Sequence, residues 1–146
     1  MMLLLDNSSS SAVVVDTAVP VSAQTLHEAL AAAWPRLEGR VSYSSESIEG
    51  VPLSSEDVVV SSHACGALTD VVLERASAVR APVVVLPCCH SAATCAAGPL
   101  TGWLDDSLAI DAMRAVRLEA RGYRVWTQLI PASITPKNRL LLGRPA

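Results

Sequence analysis

Apolar residues along this chain fall into two spacings that alternate. Unbroken or nearly unbroken runs rich in valine and leucine stand at 12–16 (AVVVD), 57–62 (DVVVSS), 82–86 (PVVVL) and 139–143 (RLLLG), joined by RVSY at 40–43 and YRVWTQLI at 123–130. Short β-branched runs bounded by polar or proline-containing stretches predict strands. The continuous runs at 57–62 and 82–86 predict strands buried on both faces. Between them the spacing turns helical. Residues 22–34 place Leu26, Leu30, Ala33 and Trp34 on one face, with Ser22 as the N-cap and Pro35 as the stop. Residues 67–79 repeat Leu68, Val72, Ala76 and Val79. Residues 105–122 open with Asp105 and Asp106, carry Arg117 and Arg121 near their end and stop at Gly122, a charge order that suits the helix dipole. Strands alternating with helices predict an α/β fold with a mainly parallel sheet covered on both faces, closed by an antiparallel hairpin of the last two strands.

Composition narrows the class. The chain has 146 residues, 51% of them apolar and 17% charged, with no phenylalanine. That is a globular composition, and the length predicts one domain over 1–146. A formal net charge of −3 supplies no global basic field and argues against tight non-specific nucleic-acid binding. A local patch is still present: Lys137 and Arg139, with Arg144, form a small cationic cluster around TPKNR (135–139). It reads either as a contact for a phosphate or other anion, or as a solvated turn supported by Asn138. The opening MMLLLD lacks the basic flank and length of a secretory signal, and no apolar run is long enough to span a bilayer. A reduced, cytoplasmic setting with no membrane partner is expected.

The chemistry gathers where strands stop. Asp16 ends the first run, His63 and Cys65 follow the 57–62 run, and Pro87, Cys88, Cys89 and His90 follow the 82–86 run. Open α/β sheets bind ligands beyond the carboxyl ends of their strands. An acid in the position of Asp16 accepts ribose hydroxyls in nucleotide-binding sheets, or simply caps a turn. His63 is a candidate base or a histidine hydrogen-bonded within a strand-end turn. Asp70, in the first turn of the next helix, reads as structural. Metal binding is the competing idea, since His63, Cys65, Cys88, Cys89, His90 and Cys95 exceed four soft ligands. Against it, Cys88 and Cys89 point oppositely in an extended chain, the spacing is not a paired C-x-x-C, and no stoichiometric metal is expected. The stretch 90–103, rich in small residues, is expected to loop over the pocket.

HACGALTD at 63–70 and PCCH at 87–90, each after a valine run, resemble Rossmann-like methyltransferases dependent on S-adenosylmethionine, in which one strand ends in H-x-C-G-x-x-T-D and the next in P-C-C. Families acting on tRNA 2′-hydroxyls belong to this group. The resemblance runs from about Ala12 to the C-terminus and includes the closing strand pair. It implies S-adenosylmethionine as cofactor, bound by Asp16 at the ribose, by Ser47 and Ile48 at the adenine, and by His63 and Ala64 near the reacting end. It further implies that His63 is catalytic, that Pro87, Cys88, Cys89 and His90 face the substrate, and that RNA is among the acceptors to consider.

One departure stands beside the match. Such domains open with a strand and a glycine-rich loop, whereas no glycine precedes Gly39 here. Residues 1–11 are therefore expected to be the remnant of a first helix and a linker, leaving an N-terminally incomplete sheet that needs an upstream segment or a partner chain. Weak or undetectable S-adenosylmethionine binding by residues 1–146 follows from that expectation. The alternative function is a non-catalytic Rossmann-like fragment serving as an interaction or subunit module.

Overall fold

One strand–helix–strand crossover builds the first of two compact units, Met1–Val51 and Pro52–Ala146, in a computed structural model that describes residues 11–146. The helix remnant and linker expected before Ala12 lie, Ser11 apart, outside the described residues. Strand β1 (Ala12–Asp16) pairs in parallel with β2 (Val41–Ser45), Ala12 opposite Val41 and Asp16 opposite Ser45. Helix α1 (Val21–Ala33) makes the crossover, and Pro35 ends it as expected by opening a single 3-10 turn, Pro35–Leu37.

Two details of α1 differ from the expectation. Pro20, not Ser22, occupies the N-cap, with extended backbone and no side-chain cap, because helical dihedrals already begin at Val21. The inward stripe is also rotated. Ala23, His27, Leu30 and Ala31 are half-buried while Leu26 is 56% exposed. Tyr43 of β2 selects that stripe: its hydroxyl donates to the Ala23 carbonyl at 3.2 Å and its ring meets His27 edge-on at 5.9 Å. A tyrosine needs a partner for its O–H when half-buried, and the nearest carbonyl decides which face turns in.

In the second unit β3 (Val59–Ser62), β4 (Val83–Leu86), β6 (Arg139–Pro145) and β5 (Tyr123–Leu129) lie side by side in that order. The β3–β4 pair is parallel; β4–β6 and β5–β6 are antiparallel. The last two strands thus form the expected antiparallel pair, but β6 inserts between β4 and β5. Among the described residues the pairings are therefore two parallel and two antiparallel, in two sheets, not one mainly parallel sheet. Burial corrects a second expectation. Val83 and Val85 of β4 are each 1% exposed, whereas Val60 of β3 is 60% exposed. β3 has one strand neighbour among the described residues and is not buried on both faces, although its run is as apolar as that of β4.

Helices α2 (Leu68–Ala78) and α3 (Asp106–Ala120) pack on this sheet. Thr69, Val72, Leu73 and Ala76 form the buried side of α2, so Val72 and Ala76 match the expected stripe while Leu68 stays exposed. Tyr123, buried at the start of β5, donates to the carbonyls of Ala76 (3.2 Å) and Ala81 (2.9 Å), fastening the hairpin to the end of α2. The hairpin's long connection is pinned at its base: Ile130 N donates to Asn138 O at 2.9 Å, and Asn138 Nδ2 donates to Ile130 O at 2.8 Å. Asn138 thus supports the turn. The expected cationic cluster does not form as a trio, because Arg144 lies opposite Arg124 near the far end of β6 from Arg139.

The ends of α3 follow the charge order of the sequence. Asp105 is the N-cap, accepting from the backbone of Ser107 (3.1 Å) and Leu108 (3.2 Å), and Arg121 with Gly122 (φ 80°) closes the helix. Hydrogen bonds from the Ser107 side chain and then the Leu108 backbone hold the Asp105 carboxyl below its ordinary 3.8. A depressed carboxyl stabilises the fold above its unfolded pKa and loses that contribution as pH falls through the folded value. Asp105→Ala should therefore melt a few degrees lower at neutral pH. The gap between the two melting temperatures should begin to narrow only below about pH 4 and go on narrowing as the folded carboxyl protonates; a gap that persists unchanged into acid would rule out the capping charge as its source.

Candidate functional site at the ends of β3 and β4

Because β3 and β4 run parallel with Ser62 opposite Leu86, both chains leave the sheet at the same end. After β3 the backbone turns left-handed at His63 (φ 64°) and again at Gly66 (φ 57°). The second position suits glycine; the first is uncommon for any residue with a Cβ. His63 is exposed and Ala64 buried, and the Thr69 hydroxyl donates to the Ala64 carbonyl, joining the turn to the first turn of α2. Gly66 N donates to Cys89 O at 3.0 Å, which ties the segment after β3 to the segment after β4.

That tie brings three thiols together. Cys65 Sγ lies 3.3 Å from Cys88 Sγ and 3.4 Å from Cys89 Sγ, and the two neighbouring sulfurs are 3.7 Å apart. All four cysteines are free thiols. The expectation that Cys88 and Cys89 point oppositely fails because β4 ends at Leu86, so strand alternation no longer governs them. The thiols are electronically unequal. Hydrogen bonds to Cys88 and then to Cys89 push Cys65 up to about 12. Cys89 is lowered by the hydrogen bonds from Cys65 and Cys88, with the charge of Lys137 adding to them. Between Cys65 and Cys89, Cys89 is the sulfur that better carries negative charge.

His90 and Cys95 take other partners. His90 Nε2 meets Asp111 Oδ1 at 2.8 Å, while its Nδ1 is buried without a hydrogen-bond partner. Asp111 Oδ2 accepts from Arg139 Nε at 2.8 Å, and Arg139 also donates to Ser107 Oγ at 2.8 Å. Arg114, 1% exposed, stands at the centre: its Nε and one terminal nitrogen reach both oxygens of Asp70 (3.0 and 2.8 Å). It also donates to Asp111 (3.1 Å) and to the carbonyl of Gly66 (2.9 Å). Burial works against its charge, but the hydrogen bond and charge of Asp70, with Asp111, outweigh it and hold the guanidinium above its ordinary pKa. Asp70 is structural, as its place in the first turn of α2 suggested. Arg114 and Asp111 were missed by the sequence reading, although a signal existed: Ile110, Arg114 and Leu118 are spaced by four, so an arginine occupies the buried stripe of α3.

Pro87, His90, Lys137, Asn138 and Arg139, with others, line a cavity of about 120 Å³ at the end of β4. The stretch 90–103 does not stand over it as a lid throughout. Cys95 and Ala97 are core residues packed with Ala109 and Ile110 of α3. In the first unit Asp16 ends β1 exposed, its Oδ1 accepting from the backbone of Ala18 at 3.2 Å, the geometry of a turn aspartate. Ser47 donates through its hydroxyl to Glu49, and Ile48 is half-buried.

Parallel strands β3 and β4, whose following segments meet at one end of the sheet, give the second unit an α/β framework. A family model for the methyltransferase domain matches residues 3–95, well over half of the chain, from before β1 to Cys95. The chain belongs to this methyltransferase-domain family. No curated protein matches it closely enough to be counted a relative.

Proposed function

We propose that the chain is an S-adenosylmethionine-dependent methyltransferase domain of Rossmann-like topology. The observation that carries this reading is the joined pair of strand ends, His63–Gly66 and Pro87–His90, lying inside the span matched to the methyltransferase family. In the first unit Asp16 accepts the donor's ribose hydroxyls, and Ser47 and Ile48 flank the adenine. In the second unit His63, beside Ala64, is the catalytic side chain, and Pro87, Cys88, Cys89 and His90 form the acceptor wall. His63 is exposed and serves as the base that takes the acceptor's proton as the methyl group leaves the sulfonium. The cavity beside Pro87 and His90 presents Lys137, so an acceptor with an anionic group, such as RNA, fits its charge. No helix among the described residues is long and apolar enough to cross a membrane.

S-adenosylhomocysteine titrated into the isotope-labelled chain and followed by NMR should shift Asp16, Ser47 and Ile48. The shifts should saturate together, as one bound ligand requires, and Asp16→Ala should weaken binding about tenfold. An unchanged spectrum at millimolar ligand would sink the donor assignment. It would leave the second reading, a non-catalytic interaction module, which the exposure of Val58 (55%) and Val60 (60%) favours.

A further inference from the structure

We infer that Cys65, Cys88 and Cys89 form a three-thiolate site for a zinc ion, with the fourth coordination position open. The inference goes beyond the methyl-transfer reading and stands whether or not the chain binds a methyl donor. It begins with convergence: the three sulfurs come from two segments held by the Gly66–Cys89 hydrogen bond, and all their ligand atoms lie within 4.8 Å of one another. Hydrogen bonds run from each thiol to the next. Three sulfurs in mutual contact are the donor set that thiophilic ions select.

The size of the triangle distinguishes between ions. At a zinc–sulfur bond of about 2.3 Å, adjacent ligands of a tetrahedral site stand ~3.8 Å apart, whereas a planar three-coordinate ion at that bond length needs ~4.0 Å. The sulfurs here are 3.3, 3.4 and 3.7 Å apart. The triangle is already narrower than either, so the tetrahedral face needs the smaller expansion. Zinc, which prefers a tetrahedral site, fits better than a planar cuprous ion. Cys88 is buried while Cys65 and Cys89 are exposed, so the ion sits on the sulfur triangle with its remaining position towards solvent. Three protein ligands with one open position is the arrangement of zinc ions that also bind an exchangeable ligand.

The supporting shell is in place. Arg114 holds the Gly66 carbonyl one residue after Cys65, and the same arginine is fixed by Asp70 and Asp111. Such outer contacts orient ligands and raise affinity. His63, His90 and Cys95 are not part of the set: His90 is engaged by Asp111, and Cys95 packs against α3 near Arg114.

The test uses the full chain, kept reduced, stripped with a chelator and titrated with zinc against a chromophoric competitor. One equivalent should bind, and cobalt in its place should give the intense visible bands of a tetrahedral thiolate complex. Cys65→Ser and Cys89→Ser, both at exposed positions, should each weaken zinc at least ~100-fold, more than the loss of an outer contact would. Cys95→Ala should retain the wild-type affinity. Circular dichroism establishes that each variant is folded. Failure of the folded wild type to compete for zinc would overturn the assignment. So would stoichiometric cuprous binding without zinc binding, or equal loss in Cys95→Ala and Cys65→Ser.

Discussion

Arg114→Met should cost the second unit about 3–5 kcal/mol, the penalty of removing one partner from a buried ionic cluster. The guanidinium is nearly inaccessible to solvent and serves Asp70, Asp111 and the Gly66 carbonyl at once. Methionine fills much of its volume but leaves Asp111, 11% exposed at its side chain, without one of its two arginines. Against a typical domain stability of about 5–15 kcal/mol this is a large fraction. Urea unfolding should show a lower midpoint with an unchanged slope. Arg114→Lys should fall between the two, since an ammonium keeps the charge and loses the two-point grip on Asp70. A methionine variant within about 1 kcal/mol of wild type would show that the cluster barely offsets its own desolvation.

Gly143→Val is expected to destabilise by about 3 kcal/mol, at the upper end of what overpacking costs. A Cβ at this position would stand 2.5 Å from Leu118 Cδ2 and 3.1 Å from Tyr123 Cδ1. Neither wall can yield easily. Leu118 is 2% exposed, and the Tyr123 ring is held by two carbonyls through its hydroxyl. Combining Gly143→Val with Leu118→Ala should recover part of the loss, because the added methyls occupy the space that leucine vacates. A coupling of at least about 1 kcal/mol is expected in the double-mutant cycle. Strict additivity of the two substitutions would refute a direct clash between α3 and β6.

Local patterning made several parts of this molecule readable. Valine runs located β1, β3 and β4 to within a residue or two, and Asp105, Arg121 and Gly122 marked the ends of α3, because these signals act through adjacent backbone. What depends on neighbours in space was less legible. The apolar run of β3 resembled that of β4, yet burial follows the number of flanking elements, which the run does not encode. Tyr43 turned α1 about its axis through a carbonyl twenty residues away. At the site, strand alternation was carried past Leu86 to Cys88 and Cys89, where no strand remains to enforce it. The arginine within the buried stripe of α3 was visible. Its partners, in α2 and in the turn after β3, were not.

The order of strands also sets a timetable for synthesis. β4 lies between β3, which precedes it by one helix, and β6, which the ribosome makes about fifty residues later. At ~5–20 residues per second, β4 waits roughly 3–10 s with its second hydrogen-bonding edge unsatisfied. During that interval Val83 and Val85 lack the strand that later lies beside them. A nascent chain arrested before Arg139 should therefore engage holdase chaperones more strongly than one arrested with β6 fully emerged.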